Sequence, residues 1–275
     1  MATAPGPGQT KYPHGVQAPV VESRTDSSPL EFAVLQRRAD IETARRELER
    51  QALLPPRPSP GKRAVARVGR LLGRRNAAVE LFPDPIKSWD VLRTIQAVSS
   101  SIERNDPVLD IGSVASAVLP SLHALGYRNL TGIDLDERVR SMFHADEIEY
   151  AVEDLTQTTR PDRSFAAITA VSVIEHGVED NALMAEVARL LRPGGIFVFS
   201  TDYWPEKIDT KGVRLFGLPW RIFSAPEIEA LLERAARYGL APSSDPPADI
   251  REVDERAIRF GRWSYTFLYG VLARA

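Results

Sequence analysis

The sequence contains no cysteine among its 275 residues. This absence excludes disulfide bonds, a thiolate nucleophile and cysteine-ligated zinc. Long apolar runs are also missing, since no stretch approaches the roughly 20 apolar residues that a membrane-spanning helix needs. The first residues have no apolar segment behind a basic start, so they do not look like a secretory signal. We therefore expect a soluble protein of the reducing cytoplasm.

The chain also lacks a strong charge of either sign, because its formal net charge is -2. A balanced charge gives no general attraction to nucleic acid, and we expect no nucleic-acid partner. The local exception is Lys62–Arg75, where basic residues and helically spaced apolar residues occur without an acidic one. Such a helix either covers the domain with a solvated face or makes a peripheral contact with anionic lipid.

Composition divides the chain into four stretches. They are a flexible tail (1–29), a charged helix with a proline-rich linker (30–61), a helical part (62–106) and an α/β domain (107–275). In the second stretch, apolar residues recur every seventh position at Val34, Ile41 and Leu48. We expect this helix to lie against the main domain, with self-association into a homo-oligomer as the alternative.

From Pro107 onward, short β-rich runs alternate with helical patterns. Strands separated by helices predict a mostly parallel sheet with helices on both faces. We also expect a helix over Glu137–His144 and another that starts at Ser224, with Glu227 completing a capping box. The long connection 201–223 before that helix is of a length that is usually functional.

Ligands of open α/β sheets bind beyond the carboxyl ends of the strands. Gly112 follows the first strand of the domain, and Asp134 closes the second. A carboxylate at that position can accept hydrogen bonds from both hydroxyls of a ribose. The alternative is that Gly112 and Asp134 belong only to a tight turn with surface acids. The chain has no G-x-G-x-x-G, which argues against a nicotinamide or flavin enzyme.

Five segments carry a family resemblance, in the order VLDIGSVAS, GIDLD, VEDL, FAAITAVSVIEHG and LRPGGIFVFSTDYW. In order and spacing they resemble the motifs of class I S-adenosylmethionine-dependent methyltransferases, over residues 89–275. The resemblance implies a Rossmann-like, seven-stranded, mostly parallel sheet, with S-adenosyl-L-methionine as cofactor and no metal. It is similar to members associated with polysaccharide, glycolipid or small-metabolite biosynthesis.

The resemblance also implies which residues hold the cofactor. They are Asp110, Gly112 and Ser113 at the first turn, Asp134 and Leu135 at the ribose, Asp154 and Leu155 at the adenine, and Ser172 beside the sulfonium. Val114 and Ser116 stand where the family has glycine, and a Cβ there narrows the turn and restricts φ. We expect a tolerated variant; the alternative is a degenerate site that no longer binds.

Methyl transfer from a sulfonium is an in-line displacement, so an enzyme mainly supplies alignment and excludes water. An oxygen nucleophile must also lose a proton. His176 is the first candidate for the base and Asp202 the second. Alternatively, His176 only shapes the pocket. The candidate acceptor-binding residues are Glu175, Tyr203, Trp204, Trp220 and Arg221, with a packed surface flap as the alternative for 201–223.

These features favour an enzyme that methylates an oxygen of a sugar or another small-molecule acceptor. Transfer to nitrogen or carbon of a small metabolite is a second hypothesis. The segment SVIEHG replaces an Asn-Pro-Pro-Tyr motif, which disfavours amino-group methylation of nucleic acid or of protein glutamine. A non-catalytic scaffold with a methyltransferase-like fold is a third hypothesis, supported only by Val114 and Ser116.

Overall fold

The computed structural model describes residues 28–55, 82–244 and 250–275. The expected flexible tail therefore lies almost wholly outside the described residues, and so does the basic segment Lys62–Arg75. None of the helices in the described part of the chain has the length and apolar character needed to cross a membrane.

A nine-stranded sheet forms the centre of the molecule. Its strands are β1 (Ala33–Val34), β2 (Val108–Ile111), β3 (Leu130–Asp134), β4 (Glu149–Val152), β5 (Phe165–Val171), β6 (Leu191–Tyr203), β9 (Leu240–Pro242), β10 (Ile258–Phe260) and β11 (Trp263–Arg274). The order β4-β3-β2-β5-β6-β11-β1 runs along the sheet, and β9 and β10 also pair with β11. A separate small hairpin consists of β7 (Arg214–Leu215) and β8 (Leu218–Pro219).

The five strands from β4 to β6 are parallel, and β11 runs antiparallel to β6. With β9 they give the expected seven-stranded, mostly parallel sheet. The two extra strands both pair with β11, which is long enough to hold β1 and β10 beside its other partners. Strand order reverses between β2 and β5, the place where open α/β sheets bind ligands.

Helices cover both faces of the sheet, as the alternating pattern predicts. They are α1 (Arg38–Arg50), α2 (Ser88–Ser101), α3 (Val118–Ala124), α4 (Asp180–Leu190) and α5 (Ala225–Arg237). Buried residues of α1, α2 and α3 share one core with alternate strand residues such as Val108 and Val198. Those of α4 and α5 share a second core with the intervening strand residues, such as Leu109 and Phe197.

The N-terminal part of the fold differs from the helix expected across 30–53. Val34 lies in β1, opposite Leu268 of β11, and the helix begins only at Arg38. Ile41 and Leu48 remain on the buried side of α1, which contacts α2. The three apolar residues at seven-residue spacing therefore lie on two elements, Val34 on β1 and Ile41 and Leu48 on α1. Because the backbone at Val34 pairs with β11, it is not available for the hydrogen bonds of a longer helix.

Two local expectations have different outcomes. The Ser224–Glu227 capping box is present, and the backbone N–H of Ser224 donates to Glu227 Oε2 at 2.8 Å. The helix expected over Glu137–His144 is only a 3₁₀ turn, Glu137–Ser141. The Asp136 carboxylate accepts from the Arg138 N–H at its start, a local bond that favours a turn over a longer helix.

Candidate functional site

A cavity of about 1770 Å³ opens at the carboxyl ends of the parallel strands. Its wall extends from Asp134 and Asp154 after β3 and β4 to His176 after β5 and Asp202 near the end of β6. Pockets for one small molecule usually measure about 300–1,000 Å³. The cavity therefore has room for two ligands side by side.

The turn after β2 has the backbone that a close ligand approach requires. Gly112 has φ 74°, and a Cβ at this position would clash with Val173 across the turn. The second left-handed residue is Ala115, with φ 60°. Val114 and Ser116 line the cavity without a positive φ. Their side chains therefore do not strain the backbone, although both stand where the family has glycine.

Asp110 and Ser113 do not line the cavity; they hold the turn from behind. The Asp110 carboxylate accepts hydrogen bonds from the Ser113 hydroxyl at 2.8 Å and the Thr169 hydroxyl at 2.6 Å. Burial raises the pKa of Asp110 to about 6, and these two bonds oppose the rise. The structure thus gives these two predicted cofactor-binding residues a supporting position beneath the turn.

Asp134 lies at the cavity wall where β3 ends. Its carboxylate accepts from the Val114 N–H at 3.0 Å and from the Asp136 N–H at 2.9 Å. Each carboxylate oxygen has two acceptor positions, so one remains on each oxygen for a pair of ligand hydroxyls. This geometry fits a ribose diol.

The next stretch of wall comes from Leu135 and from the loop after β4. Leu135 is largely exposed, as is Asp154. Asp154 Oδ1 accepts from the backbone N–H and the hydroxyl of Thr156, which fixes the carboxylate at the cavity, and Leu155 lies beside it. An acid and an apolar side chain at this place fit a flat base that carries an amino group.

Ser172 occupies the junction between the two halves of the cavity. Its φ of 52° places it in the left-handed region, which a non-glycine residue rarely adopts. Its backbone N–H donates to the Ser200 carbonyl and hydroxyl, both at 3.1 Å. The Lys87 ammonium donates to the Ser172 hydroxyl at 2.5 Å. Backbone strain of this kind is typical of functional sites, where the surrounding structure maintains it.

Beyond Ser172 the wall contains buried acids. Burial raises the pKa of Glu175 and of Asp202 to about 7 each. Behind them, burial raises the pKa of Asp90 to about 6. Lys87 counteracts all three shifts, and its ammonium lies 3.9 Å from Asp202 Oδ1. The half of the cavity beyond Ser172 therefore contains two carboxyl groups with pKa values near neutral pH.

Several oxygens of this acid cluster lack a hydrogen-bond partner. The Trp220 indole N–H donates to Asp202 Oδ2 at 2.8 Å, and the Thr201 hydroxyl donates to Glu175 Oε2 at 3.2 Å. The other oxygens, Asp202 Oδ1 and Glu175 Oε1, have no hydrogen-bond partner among the described residues. Buried polar atoms normally have a partner. Both residues line the cavity, although these two oxygens are themselves buried.

His176 lies at the cavity wall between the acids and the exposed hairpin. Its Nε2 is 4.0 Å from Glu175 Oε1, and its ring meets the ring of Phe216 edge-on. Burial lowers the pKa of His176, so the imidazole is neutral at physiological pH. A neutral imidazole can accept a proton from an acceptor hydroxyl.

The predicted acceptor-binding residues other than Glu175 do not line the cavity. Tyr203 is buried and donates to the Ile250 carbonyl, whereas Trp204 packs against the Arg256 guanidinium. Trp220 does not line the cavity, but its indole N–H donates to Asp202, which does. Arg221 pairs with Asp180 and stacks on a neighbouring ring. The segment 201–223 thus supplies mainly buried supports rather than a layer of aromatic contacts.

The wall contains residues that the sequence did not indicate. Phe216 and Leu218 of the hairpin face the cavity, together with Lys87 from the turn before α2 and Tyr265 from β11. Lys87 and Tyr265 are remote in sequence from every motif. A lysine between two acidic positions, Asp84 and Asp90, was a weak local signal; only the fold brings it to Ser172.

Comparisons with known proteins find similarity to methyltransferases. Residues 109–199 match the family of the methyltransferase domain. A probable S-adenosylmethionine-dependent methyltransferase of Mycolicibacterium smegmatis is 32% identical over 115 residues, which are 39% of this chain and 43% of that protein. A ubiquinone biosynthesis O-methyltransferase of Bradyrhizobium diazoefficiens is 27% identical over 132 residues, covering 46% and 47%.

A third relative, an eEF1A lysine and N-terminal methyltransferase of Danio rerio, is 31% identical over 112 residues, 36% of this chain and 16% of that protein. The chain spans less than half of the length of these curated relatives. Among solved structures, the complex of the Haloferax volcanii Trm112 methyltransferase activator and a methyltransferase matches with a TM-score of 0.52 and 19% identity, covering 76% and 94%. That likeness concerns the fold.

Proposed function

We propose that this chain, which carries a class I S-adenosylmethionine-dependent methyltransferase domain, transfers a methyl group to an oxygen of a small acceptor bound beside His176. The observation that carries the proposal is the continuous cavity. It has Asp134 and Asp154 at one end and the acid cluster with His176 at the other. Ser172 lies between the two ends.

The cofactor supplies an electrophilic methyl group on a sulfonium. Asp134 would hold its ribose hydroxyls, Asp154 and Leu155 its adenine, and the backbone around Gly112 its amino-acid end. In-line displacement needs alignment and a dry environment more than acid–base help at the leaving group. The apolar wall of Leu218 and Phe216 would limit the access of water to the reacting atoms.

On the acceptor side, the residues can orient a hydroxyl and take its proton. Glu175 Oε1 and Asp202 Oδ1 would accept hydrogen bonds from the acceptor. Neutral His176 would remove the proton from the attacking hydroxyl, which makes the oxygen a better nucleophile. The positive charge of Lys87 favours the ionised forms of Glu175 and Asp202, because it lowers the pKa of each.

A second candidate function is methylation of a small amine, and the buried acid cluster favours it. Two carboxyl groups with free oxygens would bind an ammonium group and could accept its proton before transfer. The curated relatives include several O-methyltransferases and a methyltransferase of lysine and N-termini. The two candidate functions share the methyl donor and differ in the acceptor, so they are distinguished at the acceptor end of the cavity.

The first experiment is calorimetry with S-adenosylhomocysteine. We expect saturable binding that falls by about tenfold or more in Asp134→Asn and in Asp154→Asn, because each loses charge-assisted hydrogen bonds. Glu137→Gln is the matched control, since this exposed acid is close in sequence but absent from the cavity wall. Absence of binding would refute the enzyme hypotheses and leave the scaffold hypothesis.

The acceptor is then sought with a methyl-labelled donor and a panel of paired compounds. Each pair has a hydroxyl and an amine on the same carbon skeleton, including sugars and amino sugars. Methylation of the hydroxyl members supports the proposal, whereas methylation confined to the amines supports the second candidate. Labelled products are identified by mass spectrometry with fragmentation, which locates the methylated atom.

A further inference from the structure

A second group of chemically reactive side chains lies behind the cofactor turn and outside the cavity. It consists of His123 in the last turn of α3 and of His144 and Glu147 in the loop before β4. His123 Nε2 is 3.2 Å and His144 Nδ1 is 3.4 Å from the same oxygen, Glu147 Oε2. The three ligand atoms all lie within 4.8 Å of one another.

The two separations from the Glu147 oxygen match those between neighbouring ligands of a tetrahedral ion. Zinc binds imidazole nitrogen and carboxylate oxygen at about 2.0–2.2 Å, so neighbouring ligand atoms of a tetrahedron are about 3.3 Å apart. The two measured separations fall on either side of that value. The set of two imidazoles and one carboxylate is also one that zinc accepts, with water in the fourth position.

Hydrogen bonding within the group does not account for its arrangement. His123 Nε2 is buried, yet it has no hydrogen-bond partner among the described residues, although Glu147 lies close. The two imidazole rings approach to 4.4 Å between centroids at an angle of 31°. A buried nitrogen that makes no hydrogen bond to the described residues and lies 3.2 Å from a carboxylate oxygen is suited to coordinate a cation.

The backbone holds the three side chains together before any ion binds. His144 has φ 60°, and its carbonyl accepts from the N–H groups of Glu147 at 2.8 Å and Ile148 at 2.7 Å. This tight turn brings His144 and Glu147 to one side of the loop. His123 is fixed by α3, whose residue Leu122 is fully buried in the core.

We propose that His123, His144 and Glu147 bind one divalent transition-metal ion of the zinc class, with water as a fourth ligand. The ion fastens α3 to the loop 142–148. That loop also contacts the cofactor turn, because the Ala115 N–H donates to Met142 Sδ at 3.4 Å. The site lies outside the cavity and is independent of the proposed methyl transfer.

The test uses the full chain, freed of any histidine tag and of metal by a chelator, and titrated with ZnCl₂ in a calorimeter. We expect one zinc ion per chain. Affinity falls by about tenfold or more in His144→Asn and in Glu147→Gln, since each removes a ligand. Asparagine tolerates the left-handed conformation of position 144, so the loop keeps its shape. Asp146→Asn is the matched control and retains wild-type affinity.

A second readout is the melting temperature measured with and without zinc. Zinc raises it in the wild type and in Asp146→Asn, because a ligand that binds the folded state stabilises it. At the same zinc concentration the increase is clearly smaller in the two ligand variants, because their affinity is lower. Three outcomes overturn the proposal. They are absence of saturable zinc binding, equal affinity in the ligand variants, and zinc binding that is lost in His176→Asn instead, which would move the ion to the cavity.

Discussion

The two ends of the cavity are built in different ways. At the cofactor end, partly exposed acids are fixed by backbone groups, as when Asp134 accepts from the N–H groups of Val114 and Asp136. At the acceptor end, Glu175 and Asp202 are buried, and burial raises the pKa of each to about 7. At the first end, backbone hydrogen bonds fix the orientation of the carboxylates. At the second end, burial brings the pKa values of the carboxyl groups close to neutral pH.

The largest expected effect separates catalysis from cofactor binding. In His176→Asn, turnover should fall by about 10²- to 10⁴-fold, because the proposed base is lost. Affinity for S-adenosylhomocysteine should stay nearly unchanged, since His176 lies at the acceptor end. Single-turnover kinetics and calorimetry measure the two quantities. Wild-type turnover in this variant would reduce His176 to a residue that shapes the pocket.

The next prediction concerns the positive charge of Lys87, which lies beside Ser172 between the two halves of the cavity. Lys87 lowers the pKa of Glu175, Asp202 and His176. In Lys87→Met all three hold their protons to higher pH, so the acid limb of the pH profile of kcat/KM should move upward by about one unit.

Lys87→Arg is the matched control for that shift. An arginine keeps the positive charge, so it should restore most of the acid limb even where its different shape lowers the rate. If the limb stays in place when the charge is removed, Lys87 has only a packing role at the acceptor end.

A smaller effect appears in stability. The pKa of Asp202 is raised by burial from 3.8 to about 7, so the native protein binds this proton more tightly than the unfolded chain does. The stability that the protonated group provides is therefore lost as pH rises from about 4 to 7. Asp202→Asn should melt several degrees above the wild type at pH 8, at roughly 2–4 °C per kcal/mol. The gap should narrow toward pH 4.

A half-buried acid, Asp106, provides the control with the opposite sign. The hydrogen bond from Arg192 lowers the pKa of Asp106, so its ionised form stabilises the fold above that pKa. Asp106→Asn should therefore melt slightly below the wild type at pH 8 and not above it. Melting curves across this pH range check both variants. A gap for Asp202→Asn that does not change with pH would contradict the assigned burial cost.

The smallest expected effect lies at the cofactor end. Val114→Gly and Ser116→Gly should each change the affinity for S-adenosylhomocysteine by less than about threefold, which is under 1 kcal/mol. Neither residue has a positive φ, so glycine relieves no strain there. Calorimetry on both variants measures this. A large gain in affinity would show that the two side chains obstruct the cofactor.

The sequence predicted the fold well because its signals are local and repeated. Alternation of strands and helices, together with the acids at the ends of β3 and β4, specified the sheet and the cofactor end. These residues are positioned by the strand that precedes each of them, as with Asp134 directly at the end of β3. Short sequence distances therefore suffice to place them.

The acceptor end was predicted less completely. His176, Glu175 and Asp202 line the cavity, whereas Tyr203, Trp204, Trp220 and Arg221 face other parts of the protein. The aromatic content of 201–223 suggested a binding surface. In the structure, burial of Tyr203 and Trp220 supports the end of β6 instead. Aromatic residues stabilise cores and binding sites alike, so composition does not distinguish these roles.

By itself, the sequence predicted the alternation of strands and helices and selected Asp134, Asp154 and His176, which all line the cavity. Only the tertiary structure decided that Lys87 and Tyr265 line one cavity with Glu175, which follows β5, and Asp202 of β6, and that His123 meets His144 and Glu147. The physical reason is that periodicity and turn chemistry act over a few residues. Burial, shared charge and metal geometry depend on segments that only the complete fold brings together.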